Sequence, residues 1–88
     1  MTASLTAFTV YTKPDCSNCE KTKDYFDSKG ITYTAVDITE VLAALEYITA
    51  ELGYSQAPVV QNNFDDQDHW SGLRRDKLVQ AAMSRKAA

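Results

Sequence analysis

The chain has 88 residues, 44% of them hydrophobic and 24% charged, which is the composition of one ordinary soluble globular domain, above the size that needs staples to fold. Its formal net charge of −3 argues against a nucleic-acid partner, because binding a phosphate backbone needs clustered Lys and Arg. No apolar run approaches membrane-spanning length, and Met1 to Ala7 lack the basic and apolar regions of a signal peptide, so the expected location is the cytoplasm, away from any membrane.

From Thr6 to Tyr11, Phe8 and Val10 alternate with Thr9 and Tyr11, which predicts a short, buried central strand. Lys13-Pro14-Asp15-Cys16-Ser17-Asn18-Cys19 follows, and Pro14 ends strand pairing. Ser17 to Lys29 reads as a helix with Cys19, Thr22 and Phe26 at i, i+3 and i+7, stopped by Gly30. Ile31 to Ile38 is rich in Thr, Tyr, Val and Ile, as a second strand should be, and the three elements make a βαβ unit with parallel strands.

Thr39 is placed to cap a second helix, ended by Gly53, in which Val41, Leu45, Ile48 and Leu52 form one apolar face toward the core. Gln56-Ala57-Pro58-Val59-Val60 predicts a strand whose proline stands at the tolerated first position. Gln61-Asn62-Asn63 and Asp65-Asp66 mark a turn, and His69-Trp70 a short returning strand. A last helix begins at Ser71 or Gly72, with Leu73, Lys77, Leu78 and Ala81 on its apolar face and a fraying tail from Arg85 to Ala88. No internal repeat, linker or low-complexity segment divides residues 1–88, which read as a single domain.

The only two cysteines therefore sit where a strand hands over to a helix. A helix start offers unsatisfied N–H groups and the positive end of the dipole, both of which favour a thiolate over a thiol. Cys16 is the expected nucleophile. Cys19, one turn on, is the expected resolving thiol. The same spacing serves as half of many zinc sites, but with two cysteines and the single His69 a four-ligand site would need carboxylates or a second chain. In a reducing cytosol a lone cysteine pair is more often catalytic than a staple, so no metal is expected. Lys13 either stabilises the Cys16 thiolate or is merely solvated, and Asp15 opposes it. Trp70 either belongs to a partner-binding face or covers the core. His69 reads as an exposed strand residue, and Asp65, Asp66 and Asp68 as a solvated loop able to select partners by charge.

The order β-α-β-α-β-β-α, with C-x-x-C at the first helix and proline opening the third strand, resembles the thioredoxin fold in its short glutaredoxin-like form, an α/β architecture with a four-stranded mixed sheet and three helices. Within it the chain is similar to the NrdH-redoxin family through Val10-Tyr11-Thr12-Lys13-Pro14, the C-x-x-C, Leu52-Gly53-Tyr54-Ser55-Gln56-Ala57-Pro58-Val59-Val60 and His69-Trp70-Ser71-Gly72. It departs from that family at Ser17 and Asn18 between the cysteines, which bears on redox potential, and at Leu73-Arg74-Arg75 after the Trp-Ser-Gly, which bears on packing of the last helix and on partner contact.

The resemblance implies a monomeric dithiol–disulfide oxidoreductase that needs no cofactor, donates electrons to class Ib ribonucleotide reductase and is reduced by thioredoxin reductase. It also implies that Pro58 is cis and faces the dithiol, that Ala57 offers a backbone edge to substrate, and that Trp70, Ser71 and Gly72 contribute to structure or partner contact. Two alternatives stay open: a glutathione-dependent glutaredoxin, against which stands Ser71-Gly72 where a Gly-Gly helix start is usual, and an iron–sulfur-binding module, against which stands Cys19.

Overall fold

Phe8–Thr12 forms β1, the strand from which the sheet is built in both directions. The computed structural model describes residues 6–87, with side chains through residue 83. Residues 1–5, which carry most of the signal-peptide reading, and residue 88 lie outside the described residues. After β1 come α1 (Ser17–Ser28), β2 (Tyr33–Asp37), α2 (Leu42–Glu46, running on as a π turn over Tyr47–Glu51), β3 (Val59–Asn62), β4 (His69–Ser71) and α3 (Arg75–Ala87). The sheet order is β2-β1-β3-β4. β1 and β2 are parallel, with Phe8 opposite Tyr33 and Thr12 opposite Asp37. β3 is antiparallel to β1, Val10 facing Val60, and β4 antiparallel to β3, Val60 facing Trp70. This is the expected element order, and the sheet is mixed and four-stranded.

The alternation along β1 divides the interior. Phe8, Val10 and Thr12 are buried on one face, where Phe8 and Val10 cluster with Val60 and Trp70 from the neighbouring strands. Phe26 of α1 stacks on Phe8 at 5.1 Å between ring centroids, and Trp70 meets Phe8 edge-on at 6.1 Å. Leu78 and Ala81 of α3 close the same cluster. On the opposite face Tyr47, in the π turn, packs its ring 6.0 Å from that of Tyr11 and donates its hydroxyl to Gln61 Oε1 at 2.9 Å. Helices therefore cover both faces.

Two helices differ from their predicted form. Thr39 does not cap α2. Its backbone N–H and its hydroxyl both donate to Asp37 Oδ1, at 2.8 and 2.6 Å, closing a turn before the helix. Val41 is the capping residue, with extended backbone (φ −115) and no side-chain cap, so it falls outside the helical phase and is 45% exposed instead of core. Ala44 and Ile48 carry the buried stripe. The π turn, with Leu52 N–H bonded to Tyr47 O, adds a residue to one turn and further shifts the predicted spacing. α3 begins at Arg75, later than Ser71 or Gly72, because Gly72 adopts φ +80, which no helix continues. Gly30, at φ +69, ends α1 as predicted. The tail expected to fray is helical as far as Ala87.

Phe26 is fully buried between Phe8 and Tyr33, whereas Val79 on α3 is an exposed apolar residue. Phe26→Ala should lower unfolding free energy by about 3–5 kcal/mol. Val79→Ala should change it by no more than about 0.5 kcal/mol. Urea denaturation of the oxidised protein followed by circular dichroism measures both.

Candidate functional site

The strand registers bring one end of the sheet together: Thr12 lies opposite Asp37, Tyr11 opposite Val59, and Val59 opposite Ser71. Four connections leave from this end, and backbone bonds tie them to one another. Ile38 N–H donates to Thr12 O at 2.9 Å, and Gly72 N–H donates to Pro58 O at 2.7 Å. The segment containing Cys16 leaves β1 here.

Lys13, Pro14 and Asp15 are exposed. Asp15 has φ +56, a left-handed conformation that Asp tolerates better than most residues, and it turns the chain from strand into helix. Cys16 is then the N-cap of α1: its Sγ accepts the Cys19 N–H at 3.2 Å, and its carbonyl accepts the Glu20 N–H at 3.1 Å. The two cysteines are joined in a disulfide, with Cα atoms 5.2 Å apart. They differ in access. Cys16 is half-buried, while Cys19 is 0% exposed. Among the described residues, two buried hydroxyls on the elements joined by the cysteine turn lack hydrogen-bond partners, Thr12 Oγ1 on β1 and Thr22 Oγ1 on α1.

Pro58 is buried, and the Ala57–Pro58 peptide bond is cis. Ala57 is half-buried at the head of β3. The bond from Gly72 to Pro58 joins this segment to the Trp70-Ser71-Gly72 turn, and a Cβ on Gly72 would stand 3.5 Å from Gln56 Nε2. Two stretches far apart in sequence thus form one wall. Trp70 is 3% exposed, its indole in the core against Phe8, so the half-buried Ser71 and Gly72 are the accessible part of that turn.

His69 differs from the exposed residue expected. It is half-buried, its Nδ1 2.8 Å from the Tyr54 hydroxyl and its carbonyl 3.2 Å from the same oxygen. Burial raises the Tyr54 phenol above its ordinary value, against a smaller lowering by the Arg74 guanidinium. Arg74 is itself held by Asp76 through two bonds, Nε to Oδ1 at 3.1 Å and Nη2 to Oδ2 at 2.9 Å.

The acidic turn lies elsewhere. Asp65 and Asp66 are exposed at the opposite end of the sheet, where Asn62 pairs with Phe8. The groove that Asp65 borders, lined also by Phe8, Phe64, Trp70 and Lys77, contains neither cysteine. At the cysteine end, α2 opens with Val41 45% and Leu42 67% exposed. No sequence signal marked Val41 as surface, because its spacing fitted a buried stripe with Leu45, Ile48 and Leu52; Leu42 lies outside that stripe. Thr12, Thr22, Tyr54 and Gln56 were also missed as parts of the site, since each becomes significant only through neighbours distant in the chain.

A model of the glutaredoxin family matches residues 8–66. The chain is 44% identical over 52 residues to the gene 56 protein of Mycobacterium phage L5, covering 59% of this chain and only 50% of that relative's length. It is 33% identical over 70 residues to the glutaredoxin-like protein NrdH of Escherichia coli, covering 80% of this chain and 82% of that protein. The structure of the Escherichia coli NrdH-redoxin, described as having a thioredoxin-like activity profile, superposes with a TM-score of 0.75 at 32% identity over 83% of this chain and 91% of that one.

The Asp37 turn at this end of the sheet titrates in a defined direction. The Thr39 hydroxyl, and after it the Thr39 N–H, hold the Asp37 carboxyl below its usual value. The folded pKa being depressed, the stabilisation is complete above the unfolded value of about 3.9 and is lost as pH falls through the folded one. Thr39→Ala removes the hydroxyl and keeps the N–H, so the Asp37 midpoint should rise part of the way to its ordinary value. Carbon-detected NMR titration of the side-chain carboxyl reads this shift.

Proposed function

The chain belongs to the glutaredoxin family, in its NrdH-like form, and on that premise we propose that it is a dithiol–disulfide oxidoreductase acting on protein disulfides. The observation that carries this reading is the inequality of the two bonded cysteines: Cys16 is accessible at the helix N-cap, and Cys19 is enclosed one turn inside. An N-cap sulfur that already accepts a backbone N–H gains further stabilisation when it becomes a thiolate.

In the reduced protein the Cys16 thiolate attacks one sulfur of a partner disulfide, forming a mixed disulfide and releasing the partner's other sulfur as a thiolate, which takes up a proton. Cys19 loses its proton and attacks Cys16 Sγ, expelling the second partner thiol. The partner gains two electrons and two protons, and the Cys16–Cys19 disulfide remains. The exchange is complete with two thiols and needs no cofactor. An extended partner segment would run beside Ala57 at the head of β3, pairing with its backbone as an added strand, with Lys13, Ser71 and Gly72 bordering the contact.

Resemblance to NrdH-redoxins supports class Ib ribonucleotide reductase as the acceptor and thioredoxin reductase as the electron source. Two features of the site support a protein partner over glutathione. Gripping the tripeptide's two carboxylates calls for charge-assisted donors. Arg74 is engaged by Asp76, and the start of α2 presents Val41 and Leu42 to solvent instead of cations. The thioredoxin-like profile described for the Escherichia coli relative points the same way.

NADPH consumption measured in parallel, with thioredoxin reductase in one arm and glutathione with its reductase in the other, and a ribonucleotide reductase or insulin disulfide as acceptor, should be faster in the first arm. Faster turnover in the glutathione arm would replace this reading with that of a glutathione-dependent glutaredoxin. Cys16→Ser should abolish disulfide reduction. Cys19→Ser should react once and stall as a mixed disulfide visible by mass spectrometry, and adducts trapped on Cys19 in the Cys16→Ser variant would reverse the two roles.

A further inference from the structure

Thr22 is a polar residue that the exchange steps leave unused. It is 0% exposed, and its Oγ1 has no hydrogen-bond partner among the described residues. A threonine inside a helix ordinarily turns its hydroxyl to a carbonyl three or four residues back, and Thr22 forms no such bond. An orphaned hydroxyl at this depth is unfavourable unless another state of the protein supplies a partner.

That state is available one turn away. Cys19 stands three residues earlier on α1 and is equally buried. Residues at i and i+3 share a helix face with Cβ atoms about 5–6 Å apart, and each side chain tilts toward the helix N-terminus, which carries Thr22 toward Cys19. In the disulfide, Cys19 Sγ is bonded to Cys16 and carries no proton. When a reductant dithiol supplies two electrons and two protons, the S–S bond breaks, the reductant leaves as a disulfide, and Cys19 becomes an S–H free to turn about its Cα–Cβ bond.

Resting on the assignment of Cys19 as the resolving thiol, we propose that Thr22 is a positioning residue for it. Thr22 Oγ1 accepts the Cys19 S–H in the dithiol state and donates to the sulfur as that proton leaves for the attack on the mixed disulfide. Because the hydroxyl is satisfied only after reduction, it shifts the pair toward the dithiol and makes the disulfide more oxidising than the same fold without it.

The test is the redox equilibrium of the whole protein against dithiothreitol or glutathione buffers, which requires no biological partner and therefore reads this proposal separately from the choice of acceptor. Thr22→Val keeps the shape and removes the hydroxyl, and should move the equilibrium constant roughly three- to tenfold toward the disulfide, the size of one net hydrogen bond. It should also slow resolution of a mixed disulfide preformed on Cys16. Thr22→Ser restores a hydroxyl and should return the equilibrium to within about twofold of the parent. Thr12→Val, removing the other orphaned hydroxyl, at the end of β1, is the comparison. An unchanged equilibrium in Thr22→Val, with stability altered equally in the oxidised and reduced proteins, would mean that the hydroxyl serves only the helix and would overturn the proposal. So would a shift seen in Thr12→Val and absent from Thr22→Val.

Discussion

The contact on which the site depends is the stacking of Phe26 on Phe8. It lays α1 back across β1, so the positions of the cysteines follow from arithmetic. Cys19 precedes Phe26 by seven residues, about 10 Å of helix, and Thr12 follows Phe8 by four, about 13 Å of strand. The buried cysteine is thereby carried to the end of the strand, over Thr12, and the chain has only the exposed stretch from Lys13 to Asp15 in which to reverse. The left-handed Asp15 accomplishes that reversal and leaves Cys16 as the N-cap.

The remaining wall is built from the other side of the sheet. β3 and β4 both have ends at the cysteine pole, and the single bond from Gly72 to Pro58 fuses the loop before β3 with the turn after β4. The contact of Tyr54 with His69 braces the same loop against the start of β4. This arrangement also disposes of charge: Arg74, whose guanidinium acts on the Tyr54 phenol, is occupied by Asp76, and the acidic turn of Asp65 and Asp66 lies at the far pole. What the dithiol end offers a partner is therefore backbone and apolar surface, with Lys13 and Asp15 as exposed charges of opposite sign beside Cys16.

Most of the framework was legible because local signals and tertiary packing agree there. The alternation of Phe8 and Val10, the stop at Gly30, and the proline before Val59-Val60 each mean the same thing in isolation as in the fold. The cysteine pair was legible for a similar reason, since strand, turn and helix start are contiguous. The failures come where a local pattern has two physical solutions. Thr39 can cap a helix or bond back to Asp37, and the turn takes it. Val41 and Leu45 fit an apolar stripe, but the extended backbone at Val41 and the π turn at Tyr47–Glu51 displace the phase. Gly72 resembles a helix start and is instead the left-handed residue that delays α3 to Arg75. The stretches carrying Tyr54, Gln56, Pro58 and His69 were legible as family motifs, but their joining into one wall was not, because it exists only through pairing of β3 with β4.

The unequal depth of the two cysteines also bears on chemical survival. A peroxide molecule reaching the reduced protein meets Cys16 first and converts its thiolate to a sulfenic acid, while Cys19, 0% exposed, is shielded from the same encounter. With the Cα atoms 5.2 Å apart, the buried thiol stands ready to condense with that sulfenic acid, forming the disulfide and releasing water. The further, irreversible rungs of sulfur oxidation are thereby bypassed, and the damaged state is the ordinary oxidised form of the protein, recoverable by the reductant that already serves it.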